Sequence, residues 1–590
     1  MDYDIIIGRT ESEKRDYGKR GLVFLGKQYV KMGQNVSLSN KVYLDVAKTH
    51  VILVSGKRGC LTGDTLIFTD KGFKQIKDFD EKNDKVYSFN KDKKEFEIEN
   101  AKLLVYDIQD EALLNIEFSN GKNIVVTKEH PLLLYENKEL IWKIGCEIKK
   151  GDFLVGTANN ENFSKNSFLL QTLEPMQLSY FAITKIDEID GISKVYDLSV
   201  EKNHSFIANG IISHNSGKSY TLSVLTEGVA DMEEDVKKNL AILIFDTMGI
   251  FWTMKYPNEK QRDLLEKWGQ KPKAIDVKVF TPEGKYDYYK EKNVATDASF
   301  TLKTSMLSAF DWCSVFEIKI SDSLGVLIES VLNDLEGKNY SIDDIIDEVR
   351  KNKKFENNLK LAVENRFIAA KSWGLFSKDG SKISDLLKGN QTSILDISCY
   401  NESNVKALVV GLLCKLILEE RIDARKLEEQ RSIEEGKHYF EMEEEKREMP
   451  LVWLIIDEAH NFLHKEKETP ATNSLVRLLR EGRQPGISLV LATQQPGEIH
   501  KDAMTQSDIV ISHRLTAKFD IEALSSIMQT YLTSSLLSYF NNLPTEKGSA
   551  LVLDDNSERI FPLAVKPKLS WHGGDTPSAV HKSKRLNLEI

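Results

Sequence analysis

Residues 216–219 read Ser-Gly-Lys-Ser, the second half of a loop that cradles phosphate, and the half that should precede them is missing. The full pattern needs a glycine five residues before Gly217, set at the end of a strand. Immediately upstream stands ISHN instead. A matching first half lies far away: residues 49–55 are a short β-branched run, THVILVS, ending in Gly56-Lys57-Arg58-Gly59, and Cys60 then breaks the motif. Removing residues 60–215, 156 in all, joins HVILVSGKRG to SGKSYTLSV and restores Gly56-x-x-x-x-Gly217-Lys218-Ser219. In such a loop the backbone N–H groups of Gly56, Lys57, Arg58, Gly59, Ser216 and Gly217 surround the inner phosphates. Lys218 neutralises the outer ones, the Ser219 hydroxyl reaches Mg²⁺, and Tyr220 follows as the helix opens. The ligands implied are ATP and Mg²⁺. This constrains the fold closely. A strand at 49–55 must be followed in space by a helix at about 218, with a second folding unit hung between them.

Composition narrows the class further. The 590 residues suffice for two or three folding units. An apolar content of 41% with 29% charged residues is ordinary for a water-exposed globular chain. No run approaches the ~20 apolar residues that cross a bilayer, so no membrane partner is expected. The N-terminal MDYDIIIGRTESEKRDYGKR lacks a secretory pattern, and the expected location is the cytoplasm. Cys60, Cys146, Cys313, Cys399 and Cys414 have neither zinc-site nor redox spacing. A formal net charge of −10 argues against a uniformly basic DNA-gripping surface and leaves a local basic channel open.

The inserted block opens CLTGDTLIFT, closes VYDLSVEKNHSFIANGIISHN and carries TKEH between. Its interior breaks into short strand-like runs, TLIFTD, KVYSFN, LLNIEFSN, NIVVT and KVYDLSV, split by NGK, NKD and DKG turns. A thiol at the first position can attack the carbonyl of Gly59 and turn an amide into a thioester. Over its whole length the block resembles a class 1 mini-intein, and the resemblance implies the all-β HINT fold with no room for a homing endonuclease. It also implies roles. Cys60 forms the thioester, the Ser216 hydroxyl takes the acyl group and frees the thiol, and the Asn215 side-chain amide attacks its own carbonyl, releasing the insert as a succinimide. An O-to-N acyl shift then leaves a Gly59–Ser216 peptide bond. Thr127 and His130 would polarise the first scissile amide, Asp197 would coordinate the first two steps, and His204 and His214 would assist Asn215 by proton transfer near neutrality. The polar stretch at residues 159–177 is expected to be a flexible remnant.

Outside the insert, 434 residues remain. The apolar run LVWLII at 451–456 ends in Asp457-Glu458, which reads as a Mg²⁺-holding aspartate followed by the general base for water. A third apolar strand at 487–492 runs into Thr493-Gln494-Gln495-Pro496, with Gln494 as γ-phosphate sensor and Gln495 as fallback. Arg480 and Arg483 of LVRLLREGRQPG are candidates to reach a neighbouring subunit's phosphate, and Arg514 stands in a similar setting. The charge-dense segment before residue 450 reads as a solvated helix, and the Lys-rich run near 285 as surface.

The runs IIDEAHNF, REGRQPGISLVLATQQP, IFDTMGIFWTMKYPN and KPKLSWHGGDTP resemble the HerA-like ATPases of the HerA/FtsK group. The expected fold is thus an α/β RecA-like P-loop NTPase, discontinuous over 1–59 and 216–590, with an all-β domain at 60–215. The resemblance implies a homo-hexameric ring that moves double-stranded DNA and works with a NurA-type nuclease in end resection. The alternative within the same superfamily is a ring that moves or remodels protein. Such ATPases carry an N-terminal β-barrel, for which the ~50 residues ahead of strand 49–55 leave only a truncated version.

Overall fold

The computed structural model of the protein describes residues 4–32, 35–56, 61–80, 83–90, 95–107, 113–127, 130–136, 139–145, 148–157, 178–192, 194–200, 205–214, 218–437, 449–513, 515, 518–527, 536–544 and 548–572. Among the described residues two large sheets carry the chain, and they share no strand. The first contains β1 (Ile5–Ile7), β2 (Leu22–Met32), β3 (Asn35–Asp45), β4 (Val51–Ser55), β5 (Leu240–Asp246), β6 (Val277–Pro282), β7 (Ala298–Phe300), β8 (Gln391–Asp396), β9 (Leu451–Ile456), β10 (Ile487–Thr493), β11 (Ile509–His513), β12 (Ser549–Asp554) and β13 (Arg559–Val565). Their order in space is β1-β3-β2-β13-β12-β11-β4-β10-β9-β5-β8-β6-β7.

From β11 to β7 the neighbours run parallel, which is why these strands read as unbroken apolar runs: both faces of a parallel sheet are covered. The pleat sends alternate side chains of β4 to opposite faces. Ile52 and Val54 pack with Leu222, Leu225 and Val229 of helix α1 (Lys218–Ala230). Val51 and Leu53 pack into the other core, with Leu413 and Ile417 of α2 (Ser403–Lys437) and Leu475 and Leu479 of α3 (Thr472–Glu481).

The N-terminal segment does not form a truncated barrel. β2 instead pairs with β13 (Gly26 opposite Val565), and β1 to β3 extend the sheet that carries β4 at its edge. Three strands cannot close a barrel, and adding to an open edge both buries their apolar face and covers unpaired backbone groups. Val23, Leu25, Val42 and Leu44 are buried in the same core as α1. A Cβ on Gly228 of that helix would lie 2.0 Å from Val23 Cγ1, so only glycine permits the helix to lie this close.

The charge-rich segment before β9 is also only partly the solvated helix expected. α2 runs to Lys437, and its exposed half begins near residue 423. Arg421, however, is fully buried, donating from Nε to Pro485 O and from Nη1 to Met449 O and the Glu428 carboxylate. Its guanidinium ties the helix to the start of β9 and β10. The Lys-rich helix Glu283–Glu291 buries no residue and is surface, as its composition suggested.

The insert builds the second, fourteen-stranded sheet. Strands Leu66–Thr69, Lys85–Asn90, Leu113–Phe118, Asn123–Val126 and Lys194–Val200 fall on the five runs read from the sequence. Its cores draw only on residues of the insert, and the two host cores draw on none of them. Each unit therefore has apolar burial of its own. The expected remnant at 159–177 lies outside the described residues.

Candidate functional site

In the insert, backbone pairing gathers both ends at one place. Leu61, next to Cys60, lies opposite Val126 on one side and Tyr196 on the other, which sets it beside Thr127 and Asp197 in the chain. At the other end Ser213 lies opposite Leu132, and His214 lies opposite Ser205. Thr127 and His130 are joined in a tight turn, His130 N donating to Thr127 O at 3.0 Å, and both side chains are buried. Leu61 and Ser213, 152 residues apart in sequence, are thus each paired with a strand that flanks the Thr127–His130 turn. Asp197 and His214 are placed by their backbones in strands Lys194–Val200 and Ile211–His214. Cys60, His204, Asn215 and Ser216 lie outside the described residues. Ser205 was not singled out from sequence. Its buried hydroxyl donates to Phe89 O at 2.9 Å and accepts from Phe89 N at 3.0 Å, fixing the hairpin that ends in His214.

The second site lies at the carboxyl ends of the parallel strands, where open α/β sheets expose their crevices. β4 sits between β10 and β11, with Ser55 level with both Thr493 and Ser512. α1 resumes the phosphate loop on the far side of the insert, and Ser219 Oγ donates to Asp457 Oδ2 at 2.9 Å. A hydroxyl and a carboxylate at that distance are a fitting donor pair for a hard divalent cation. Lys57, Arg58, Gly59 and Gly217 lie outside the described residues, and Lys218 is placed by its backbone as the first residue of α1.

Glu458 has left-handed backbone angles, φ 52° and ψ 45°, which cost a non-glycine residue ~1–2 kcal/mol. That turn brings its side chain back over the strand end. Gln494 Nε2 donates to Glu458 Oε1, while Glu458 Oε2 is buried with no hydrogen-bond partner. His460 Nδ1 lies 3.6 Å from that oxygen and 3.2 Å from Thr493 Oγ1. A carboxylate with one oxygen braced and the other open is equipped to take a proton from a water placed there. Gln494 is thus brought to Glu458, and Gln495 follows with its N–H on Thr493 Oγ1 at 3.0 Å. His460 and Thr493 were not picked out beforehand; the signal was their position on the loops leaving β9 and β10.

Both candidate arginines stand toward the opposite rim of the sheet. Arg480 Nε donates to Asp502 Oδ2 at 2.6 Å, and Arg483 donates to Gln506 O close to the start of β11. In this chain they do not meet Asp457 or Glu458. Arg514 is outside the described residues. One further acidic pair went unread. Asp246 and Asp396 end β5 and β8 in register. Burial, and then the nearby Asp396 charge, push Asp246 up to about 7, although the N–H groups of Gly249 (2.7 Å) and Phe251 (2.8 Å) favour its ionised form.

The parallel sheet, the loop helix bonded to the acidic end of β9, and a separately cored β-domain set between β4 and that helix define the fold of a P-loop NTPase interrupted by an all-β domain. The intein splicing domain family matches residues 66–215, and the central domain of helicase HerA matches residues 216–417. The chain thus carries an intein splicing domain followed by a region similar to the HerA central domain. A DNA double-strand break repair helicase HerA of Pyrococcus furiosus is 28% identical over 138 residues, 22% of this chain and 25% of that protein. A probable DNA double-strand break repair helicase HerA of Methanocaldococcus jannaschii is 37% identical over 60 residues, 10% of this chain and 12% of that one. The chain therefore spans a quarter or less of these relatives' length. A crystal structure of an intein from a hyperthermophile aligns with 26% of this chain and 99% of its own at 23% identity, TM-score 0.22. Among the described residues no helix is long and apolar enough to cross a membrane.

Proposed function

We propose that this chain is a precursor that excises residues 60–215, joins Gly59 to Ser216, and so completes the nucleotide site of an ATPase that translocates along double-stranded DNA. The observation that carries this reading is the Ser219–Asp457 bond beside β4: the second half of the loop is anchored at the end of β9, while its first half ends β4 two strands away. Excision would supply the missing covalent link. Mg²⁺, when bound, would neutralise charge on the outer phosphates. Ser219 and Asp457 would hold it, Glu458 would take the proton of the attacking water through Oε2, and Gln494 would keep Glu458 turned toward it. Similarity to the HerA central domain, and the repair role named for the two helicase relatives, support double-stranded DNA as the track. A ring of like subunits, with Arg480 or Arg483 offered to the next subunit, and a NurA-type nuclease partner belong to the same reading.

The test compares ATP turnover by the spliced protein with that of a Cys60→Ala, Asn215→Ala precursor, each with and without duplex DNA. The expected result is turnover in the spliced form, stimulated by DNA, and little in the precursor, whose loop amides cannot form one continuous anion nest. Equal turnover in both forms would overturn the link between splicing and activity. Turnover indifferent to DNA would favour a protein-remodelling ring.

A further inference from the structure

Beyond β13, residues 566–572 leave the sheet and cross the outer face of α1. Glu227, fully buried on that helix, accepts from Leu569 N at 2.8 Å and Ser570 N at 2.9 Å. Tyr220, next to the proposed Mg²⁺ ligand Ser219, accepts from Lys568 N at 2.7 Å through its hydroxyl and donates to Gln261 at 2.9 Å. Asn258 Nδ2 holds Lys568 O at 2.9 Å, and Trp571 N donates to Tyr256 O at 2.6 Å. The strap is therefore bonded at nearly every residue, and this explains why residues 221–227 of α1 are buried all round.

What the strap delivers is a set of partly exposed rings at the start of α1. The His572 ring stands edge-on to Tyr220 at 5.3 Å between centroids, and Lys260 Nζ lies 5.7 Å from the Trp571 ring. On the nucleotide reading, Asp457, Glu458 and Gln494 at the ends of β9 and β10 would hold the γ-phosphate end, and the nucleoside would lie toward the first turn of α1, where Tyr220 stands. We propose that the cluster of Tyr220, Trp571 and His572, carried by this strap, holds the nucleoside half of the bound nucleotide by stacking. The proposal rests on the nucleotide reading above and adds a binding subsite to it.

The test uses the host chain joined from Gly59 to Ser216, made by splicing or by expressing the joined coding sequence, since its cores contain no residue of the insert. Binding of ATP and of inorganic tripolyphosphate is measured by calorimetry for the unsubstituted protein and for Trp571→Ala, Trp571→Phe, His572→Ala, Glu227→Gln and Lys218→Ala. Trp571→Ala and His572→Ala are expected to weaken ATP about tenfold and leave tripolyphosphate unchanged, with Trp571→Phe restoring most of the loss. Glu227→Gln, which loosens the strap against the helix, is expected to weaken both ligands. Equal weakening of both ligands by the ring variants would overturn the proposal, because the strap would then act only by holding α1. So would ATP binding that ignores all ring variants but is lost in Lys218→Ala. Binding that ignores Lys218→Ala as well would sink the nucleotide reading itself.

Discussion

Glu458 carries opposed demands: its backbone is held in the left-handed region while its side chain has one braced oxygen and one open. Glu458→Gln keeps the shape and the Gln494 contact but removes the basic oxygen. ATP turnover is expected to fall by about 10²-fold or more with ATP affinity little changed, as steady-state kinetics and calorimetry would show. The acidic pair at the ends of β5 and β8 sets a pH dependence. Because Asp246 is pushed up to about 7 in the folded chain, the fold keeps its proton where the unfolded chain has lost it. Stability is therefore lost as pH rises from the ordinary carboxylate range toward about 7. Asp396→Asn preserves the bond from Ser398 to Oδ1 and removes one charge. Its melting temperature relative to the unsubstituted protein is expected to be higher at pH 8 than at pH 5; the opposite order would contradict the coupling. At this scale Asp457 and Glu458 were legible because they end an apolar strand. Asp246 and Asp396 were not, since their pairing depends on two strands 150 residues apart lying side by side.

Elements fell where the apolar runs put them. β4, β9 and β10 are predominantly apolar because both faces of the parallel sheet are covered, and the runs in the insert became strands between polar turns. What local pattern could not convey was attachment. The ~50 residues ahead of β4 suggested a truncated barrel, whereas an open edge at β13 was available to them and Gly228 let α1 settle onto Val23. Gly228→Ala is expected to destabilise the fold by about 1–3 kcal/mol in denaturant unfolding, since Val23 or the helix must shift. An unchanged midpoint would mean that β2 does not bear on α1. Arg421 likewise sits in a stretch whose composition reads as solvent-facing, yet its buried guanidinium serves two carbonyls of distant loops. Arg421→Ala is expected to cost about 3–5 kcal/mol by leaving those carbonyls and Glu428 without it.

For the molecule as a whole, the separation of cores is the central physical fact. Among the described residues the insert buries its own apolar side chains and joins no strand to the host sheet, so the host can lose it without losing a layer. Its first strand and its last both pair with strands that flank the Thr127–His130 turn. That organisation was legible in sequence because a phosphate loop cannot function in two pieces; the strap over α1 was not, since nothing in KPKLSWHGG marks which helix it will cross. The most direct test is a mass spectrum of the protein produced from the entire reading frame. Two species, a ligated 434-residue host and a free 156-residue insert, are the expected result. A single intact chain of 590 residues, unchanged after incubation with thiol and warming, would contradict it.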